Sequence, residues 1–176
     1  MSSSDRGRPF RPLGAMIFAA MAALTLAACT IQPLYGPSMS GKLTTATLSG
    51  IAIDDVSTRV AQEVRNTLLY DFATGASPAT YHMTLNVTSA ETALGVSPVR
   101  TAPSSAVTVS ATYQITSVAT GEIVLRGTSR GTASYDLNNQ LYATSRARID
   151  AENRAAVLAA DDIRVRLSAA AAKGTL

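Results

Sequence analysis

Two kinds of polar and apolar repeat divide most of the chain. From Ser57 to Phe72 the apolar residues Val60, Val64, Leu68 and Phe72 recur every fourth position with Leu69 beside them, while Arg59, Gln62, Glu63, Arg65 and Asn66 fill the other side. This spacing predicts an amphipathic helix, its first free amides capped by Asp55 or Ser57 and its end marked by Gly75 and Pro78. The period then falls to two. Tyr81, Met83, Leu85 and Val87 alternate with His82, Thr84, Asn86 and Thr88, and Val107, Val109, Ala111, Tyr113 and Ile115 alternate with Thr108, Ser110, Thr112, Gln114 and Thr116. Each series predicts a strand with one covered face. Thr120 and Gly121 predict a tight turn into a third long strand, with Ile123 and Leu125 on the covered face and Glu122, Val124, Arg126, Thr128 and Arg130 on the other. A shorter alternation over Leu48 to Ile53 predicts a first strand ending at Asp54 and Asp55. From Gln140 the chain turns helical again, with a stripe of Ile149, Ala156, Ala160, Ile163 and Leu167 and an end at Lys173 and Gly174.

The resulting order is β-α-β-β-β-α. Two helices laid on one face of a four-stranded, mostly antiparallel sheet bury both apolar stripes and turn the threonine-rich face outward, so the expected fold is an α+β two-layer sandwich.

The first 28 residues fit no such pattern. Arg6, Arg8 and Arg11 form a basic start, Leu13 to Leu26 is an apolar run of about 14 residues broken by Gly14 and Thr25, and Ala27 and Ala28 are small. That is an export signal, too short for a helix needing roughly 20 apolar residues to span a bilayer. The chain's single cysteine follows it immediately. Leu26-Ala27-Ala28-Cys29 matches a bacterial lipobox, in which the thiol receives diacylglycerol, the signal is cut, and the new amino group is acylated. Lipidation also removes an unpaired thiol from an oxidising compartment. More than one acyl chain makes anchoring stable. The expected organisation is a signal over 1–28, a lipidated N-terminus and flexible tether over 29–47, interrupted by Pro33, Gly36, Pro37 and Gly41, and one domain over 48–176. Thr30 stands where a common inner-membrane retention signal has Asp, which favours a lipid-anchored position on the periplasmic side of the outer membrane.

Charge adds an exclusion. Removing Arg6, Arg8, Arg11 and Asp5 from 15 basic and 12 acidic residues leaves 12 and 11, a formal +1 that gives no support to nucleic-acid binding. Catalytic constellations are also missing. The one histidine, His82, sits on the polar side of a strand with no nucleophile-elbow sequence, and the cysteine is committed to lipid. Asp54-Asp55 and Asp161-Asp162 are accounted for by a helix start and a solvated helix face, without calcium-loop spacing. No catalytic residue, metal site or cofactor is expected beyond the diacylglycerol and N-acyl chain on Cys29. The unusual feature is the sheet: between Asp71 and Glu122 only Glu91 and Arg100 carry formal charge, whereas solvated sheets ordinarily intersperse Lys and Glu.

Taken together, Cys29-x-x-x-Pro33-Leu34-Tyr35-Gly36, the helix from Arg59 to Leu68, the Tyr81-x-x-x-Leu85 strand and the alanine-rich last helix resemble the lipopolysaccharide (LPS) assembly lipoprotein family, LptE, in its alphaproteobacterial form. The resemblance spans essentially the whole chain after the signal. It implies a subunit plugging the large β-barrel of the outer-membrane LPS translocon, LptD, helping that barrel fold and assisting LPS transfer to the outer leaflet. Basic residues of the family's sheet and loops are associated with LPS phosphates, and by position Arg100, Arg126 and Arg130 are the candidates here. Two other classes stay open: a lipid-binding outer-membrane lipoprotein that shuttles phospholipid or docks a transporter, which requires an apolar interlayer cavity, and a hydrolase using His82.

Overall fold

In the computed structural model, residues 39–75, 78–94 and 103–176 are described, so the predicted signal and Cys29 lie outside the described residues. Helix α1 (Met39–Ser49) leads into strand β1 (Ile51–Ile53), helix α2 (Arg59–Phe72), strands β2 (Tyr81–Leu94), β3 (Ser104–Ser117) and β4 (Ile123–Asp136), and the long helix α3 (Leu141–Ala172). The four strands lie in the order β1-β2-β3-β4; β1 pairs parallel with β2, and the other two pairings are antiparallel. The helices cover one face. The α+β two-layer arrangement and its β-α-β-β-β-α order are therefore as the pattern of the chain predicts, with one additional helix in front.

That helix corrects the expected tether over its second half, from Met39 on. MSGKLTTATLS is poor in helix formers, yet it is helical, with Thr44 and Leu48 buried to 1% and 3% exposure and the element packed on α3. Tertiary burial overrides weak propensity here. The first strand accordingly begins at Ile51 rather than Leu48.

Helix α2 is capped by Thr58 instead of the anticipated Asp55 or Ser57: the Thr58 hydroxyl accepts the Ala61 N–H at 3.2 Å. Ala61, Val64, Leu68 and Phe72 are its buried residues, with Val60 half-buried beside them. The chain leaves the helix through Ala73 in the left-handed region (φ 49°).

Helix α3 lies over β3 and β4 on a stripe of small side chains, Ala151, Ala155, Ala156, Ala159 and Ala160, followed by Ile163 and Leu167, all fully buried. These alanines let the helix backbone approach closely, and the sheet meets them with Gly131. A Cβ there would collide with the Ala155 carbonyl and lie 2.8 Å from the Ala159 nitrogen. Gly127 plays a similar part under the ring of Tyr113, which lies across it. Between the layers Val107, Val109, Ile115, Met83, Val64 and Leu68 close a continuous core.

Polar ties then fix the helices. Arg59 at the start of α2 and Arg148 of α3 both bind the largely buried carboxylate of Glu152, while Ser129 of β4 donates to Asp162, which also accepts from Arg166 at 2.8 Å. The acidic pairs are held by ion pairs and a tie to the sheet instead of by the expected cap and solvated face: Asp55 pairs with Arg65 at 3.0 Å and Asp161 with Arg164 at 3.3 Å, while Asp162 is the residue bound to Ser129. One predicted strand position moves. A register shift between Ile115 and Thr116 sets Ile123 opposite Thr116, leaving Ile123 43% exposed instead of on the covered face.

Candidate functional site

The sheet's uncovered face follows from strand parity. Apart from Ile123, beyond the register shift, odd-numbered residues of β2, β3 and β4 point towards the helices, so the even-numbered ones form the outward surface. The registers align them into rows: Thr84, Gln114 and Arg126; Asn86, Thr112 and Thr128; Thr88, Ser110 and Arg130; Ala90, Thr108 and Thr132. Two threonine pairs are joined across strands, Thr112 with Thr128 at 3.2 Å and Thr108 with Thr132 at 3.1 Å. The result is a polar face with almost no formal charge.

Arg126 and Arg130 are the exceptions. Four residues apart on one strand, they stand about 13 Å from each other, both exposed. Among the described residues neither has a hydrogen-bond or ion-pair partner, whereas Arg59, Arg65, Arg148, Arg154, Arg164 and Arg166 each hold a carboxylate. Beside Arg126 lies an open recess of about 370 Å³ lined also by Ile123, Val124 and Leu125. A guanidinium next to exposed Ile123 and half-buried Val124 and Leu125 suits an anionic amphiphile. Arg100, the third candidate, lies outside the described residues, so the structure brings together two of the three. Glu91, which the sequence counts with the sheet's charges, is turned to the covered side, where the Tyr135 hydroxyl donates to it. Burial first, and this hydrogen bond second, raise the Tyr135 pKa above its ordinary value.

Other chemistry finds little footing among the described residues. His82 Nδ1 is 3.5 Å from Asp54, with both side chains about half exposed, and no serine hydroxyl bonds to it. No cluster of three His, Cys, Asp or Glu side chains is placed to hold a metal ion, and no helix is long and apolar enough to cross a membrane. A cleft of about 340 Å³ lies at the edge of β2 and is lined by Asp55, Val56, Thr58, Leu85, Asn86 and Val87. It opens at the surface, outside the packed interlayer core.

No protein-family model matches the chain, and no curated protein matches it. Solved structures do. A candidate lipoprotein from Caulobacter crescentus CB15 superposes with a TM-score of 0.62 at 25% identity, covering 73% of this chain and 96% of that one. A minor lipoprotein from Acinetobacter baumannii gives 0.51 at 12% identity over 68% and 88% of the two chains. Rare lipoprotein B from Shewanella oneidensis gives 0.51 at 14% identity over 68% and 92%. The two-layer domain described here is thus similar in fold to domains of bacterial lipoproteins, and nearly the whole of each of those chains is matched.

Proposed function

We propose that this chain is a non-enzymatic lipoprotein, anchored through acyl groups on Cys29 to the periplasmic side of the outer membrane. There it docks within a large LPS-translocating β-barrel, which it helps to assemble. LPS phosphates are engaged by Arg126 and Arg130. The lipobox, the Pro33-Leu34-Tyr35-Gly36 motif and the similarity in fold to bacterial lipoproteins support the anchored location. The observation that carries the role is the outward sheet face, a threonine-rich, nearly uncharged surface bearing two unpaired arginines. Such a face tolerates a wet, enclosed environment, since hydroxyls exchange water for barrel polar groups at little cost while unpaired lysines and glutamates do not.

The alternative of a lipid shuttle asks for an acyl-sized cavity between helices and sheet. The close seating of Ala155 and Ala159 on Gly131 and the fully buried Val109, Ile115 and Ile163 work against it.

A photo-reactive residue at Thr112, in the middle of the outward face, tests the docking. Irradiation of outer membranes is expected to give an adduct with a very large β-barrel protein. Adducts with lipid alone would move the assignment to the lipid-binding class.

A further inference from the structure

The two outer edges of the sheet are finished differently. Met83 accepts the N–H of Asp54 at 3.0 Å on the β1 side, and Thr80 accepts the N–H of Val118 at 3.0 Å on the β3 side. In an antiparallel ladder each residue turns its N–H and C=O to the same side, so odd residues of β2 face its outer edge and even residues face β3. Strand β1 covers that edge only from Tyr81 to Met83. Beyond it the backbone groups of Leu85, Val87, Ser89, Glu91 and Ala93 look outward, and among the described residues no strand pairs with them.

Natural sheets shield such edges with Lys, Pro, bulges or an overlying element. The other edge, β4, follows this practice: its edge-facing Ser134 carbonyl is occupied by Arg154 at 2.9 Å, and Arg126 and Arg130 flank it. β2 does not. Its sequence from Thr84 to Leu94 holds no Pro, Lys or Arg, and its one charged side chain, Glu91, is held by Tyr135. Where β1 turns away, the cleft of about 340 Å³ continues its line, with half-buried Leu85 and Val87 on the floor and Val56 and Thr58 on the wall.

We infer that β2 is a docking edge that takes an extended segment of the barrel partner as a fifth strand in line with β1. This inference rests on the barrel reading above. The hydrogen-bond pattern specifies a β-strand as occupant. The apolar floor asks for apolar residues at alternate positions of the segment, and the scarcity of charge asks for uncharged neighbours.

The test is residue-resolved amide hydrogen exchange on the full-length lipoprotein in outer membranes, compared with the detergent-purified protein alone, together with a photo-reactive residue at Thr92. In membranes the amides of Leu85, Val87, Ser89, Glu91 and Ala93 are expected to slow by about tenfold or more, while Thr84, Asn86 and Thr88, already bonded to β3, change little. The Thr92 adduct is expected on the barrel protein. Ser89→Pro removes only an edge-facing N–H, so it should fold normally and lose both signals. Rapid exchange of the odd amides in both preparations overturns the edge, whether or not the barrel still crosslinks to Thr112, which separately judges the plug reading. Protection with Thr92 adducts to a second copy of this chain overturns the assigned partner.

Discussion

At the scale of single residues, the close contact between layers depends on two glycines whose freedom is steric, since neither Gly127 nor Gly131 has a positive φ. At Gly131 an added methyl meets helix backbone that cannot swing aside, and overpacking of this kind costs about 1–3 kcal/mol, occasionally more. At Gly127 it meets the ring of Tyr113, which can tilt. Gly131→Ala is therefore expected to lower the urea midpoint clearly more than Gly127→Ala, and equal losses would contradict the asymmetry. Ser129 supplies a second residue-scale test. Its hydroxyl donates to Asp162, and that bond, acting against partial burial and aided by Arg166, holds the Asp162 pKa below the ordinary carboxylate value of 3.8. A depressed folded-state pKa means stability present above the unfolded value and lost as pH falls through the folded one. Solvent reaches the carboxylate, so the bond belongs at the modest end, about 1 kcal/mol. Ser129→Ala should lower thermal stability at pH 6 and the deficit should shrink as pH drops below about 4, which a series of melts across pH 2.5–6 would show.

At the scale of elements, what the sequence discloses depends on whether a segment's own pattern or its surroundings decide its structure. Helix α2 was legible because Val60, Val64, Leu68 and Phe72 repeat at helical spacing against a charged opposite side, and the strands because Thr and Ser alternate with Val, Ile and Tyr. Helix α1 was not. Its Thr, Ser and Gly content reads as a tether, and only Thr44 and Leu48 settling against the rest of the fold make it helical. The cap of α2 moved by one residue from an expected Ser57 because Ser57, Thr58 and Asp55 are chemically near-equivalent, and the geometry of the turn chooses among them. For the candidate surface, parity alone put Arg126 and Arg130 outward, whereas their lack of partners needed the positions of every carboxylate. The open edge of β2 was hidden for a related reason. Strand β1 runs parallel to β2 and leaves it after Ile53, opposite Met83, so the open stretch from Leu85 to Ala93 follows from the pairing register, which the alternation of neither strand discloses.

At the scale of the whole molecule, the domain separates its tasks by side. Among the described residues most ion pairs lie within or between the helices, so the outward face can lose charge without losing the fold. That separation makes the phosphate assignment testable without confusion from unfolding. Arg126→Glu with Arg130→Glu replaces two exposed, unpaired cations on strand positions that face water, and such changes ordinarily shift stability by no more than about 0.5 kcal/mol each. The melting curve should therefore stay close to the parent's. If the pair engages LPS phosphates, reversing both charges removes two charge-assisted contacts and adds repulsion, so LPS retained by the purified lipoprotein should fall by about tenfold or more, and the parent's retention should weaken with added salt. Lys substitutions at both sites should keep much of the binding, because a point charge still pairs with phosphate even without the planar fork of arginine. Full LPS retention by the Glu variant would remove Arg126 and Arg130 from the binding surface. It would leave the threonine face as a docking face only, a role that the Thr112 adduct tests on its own.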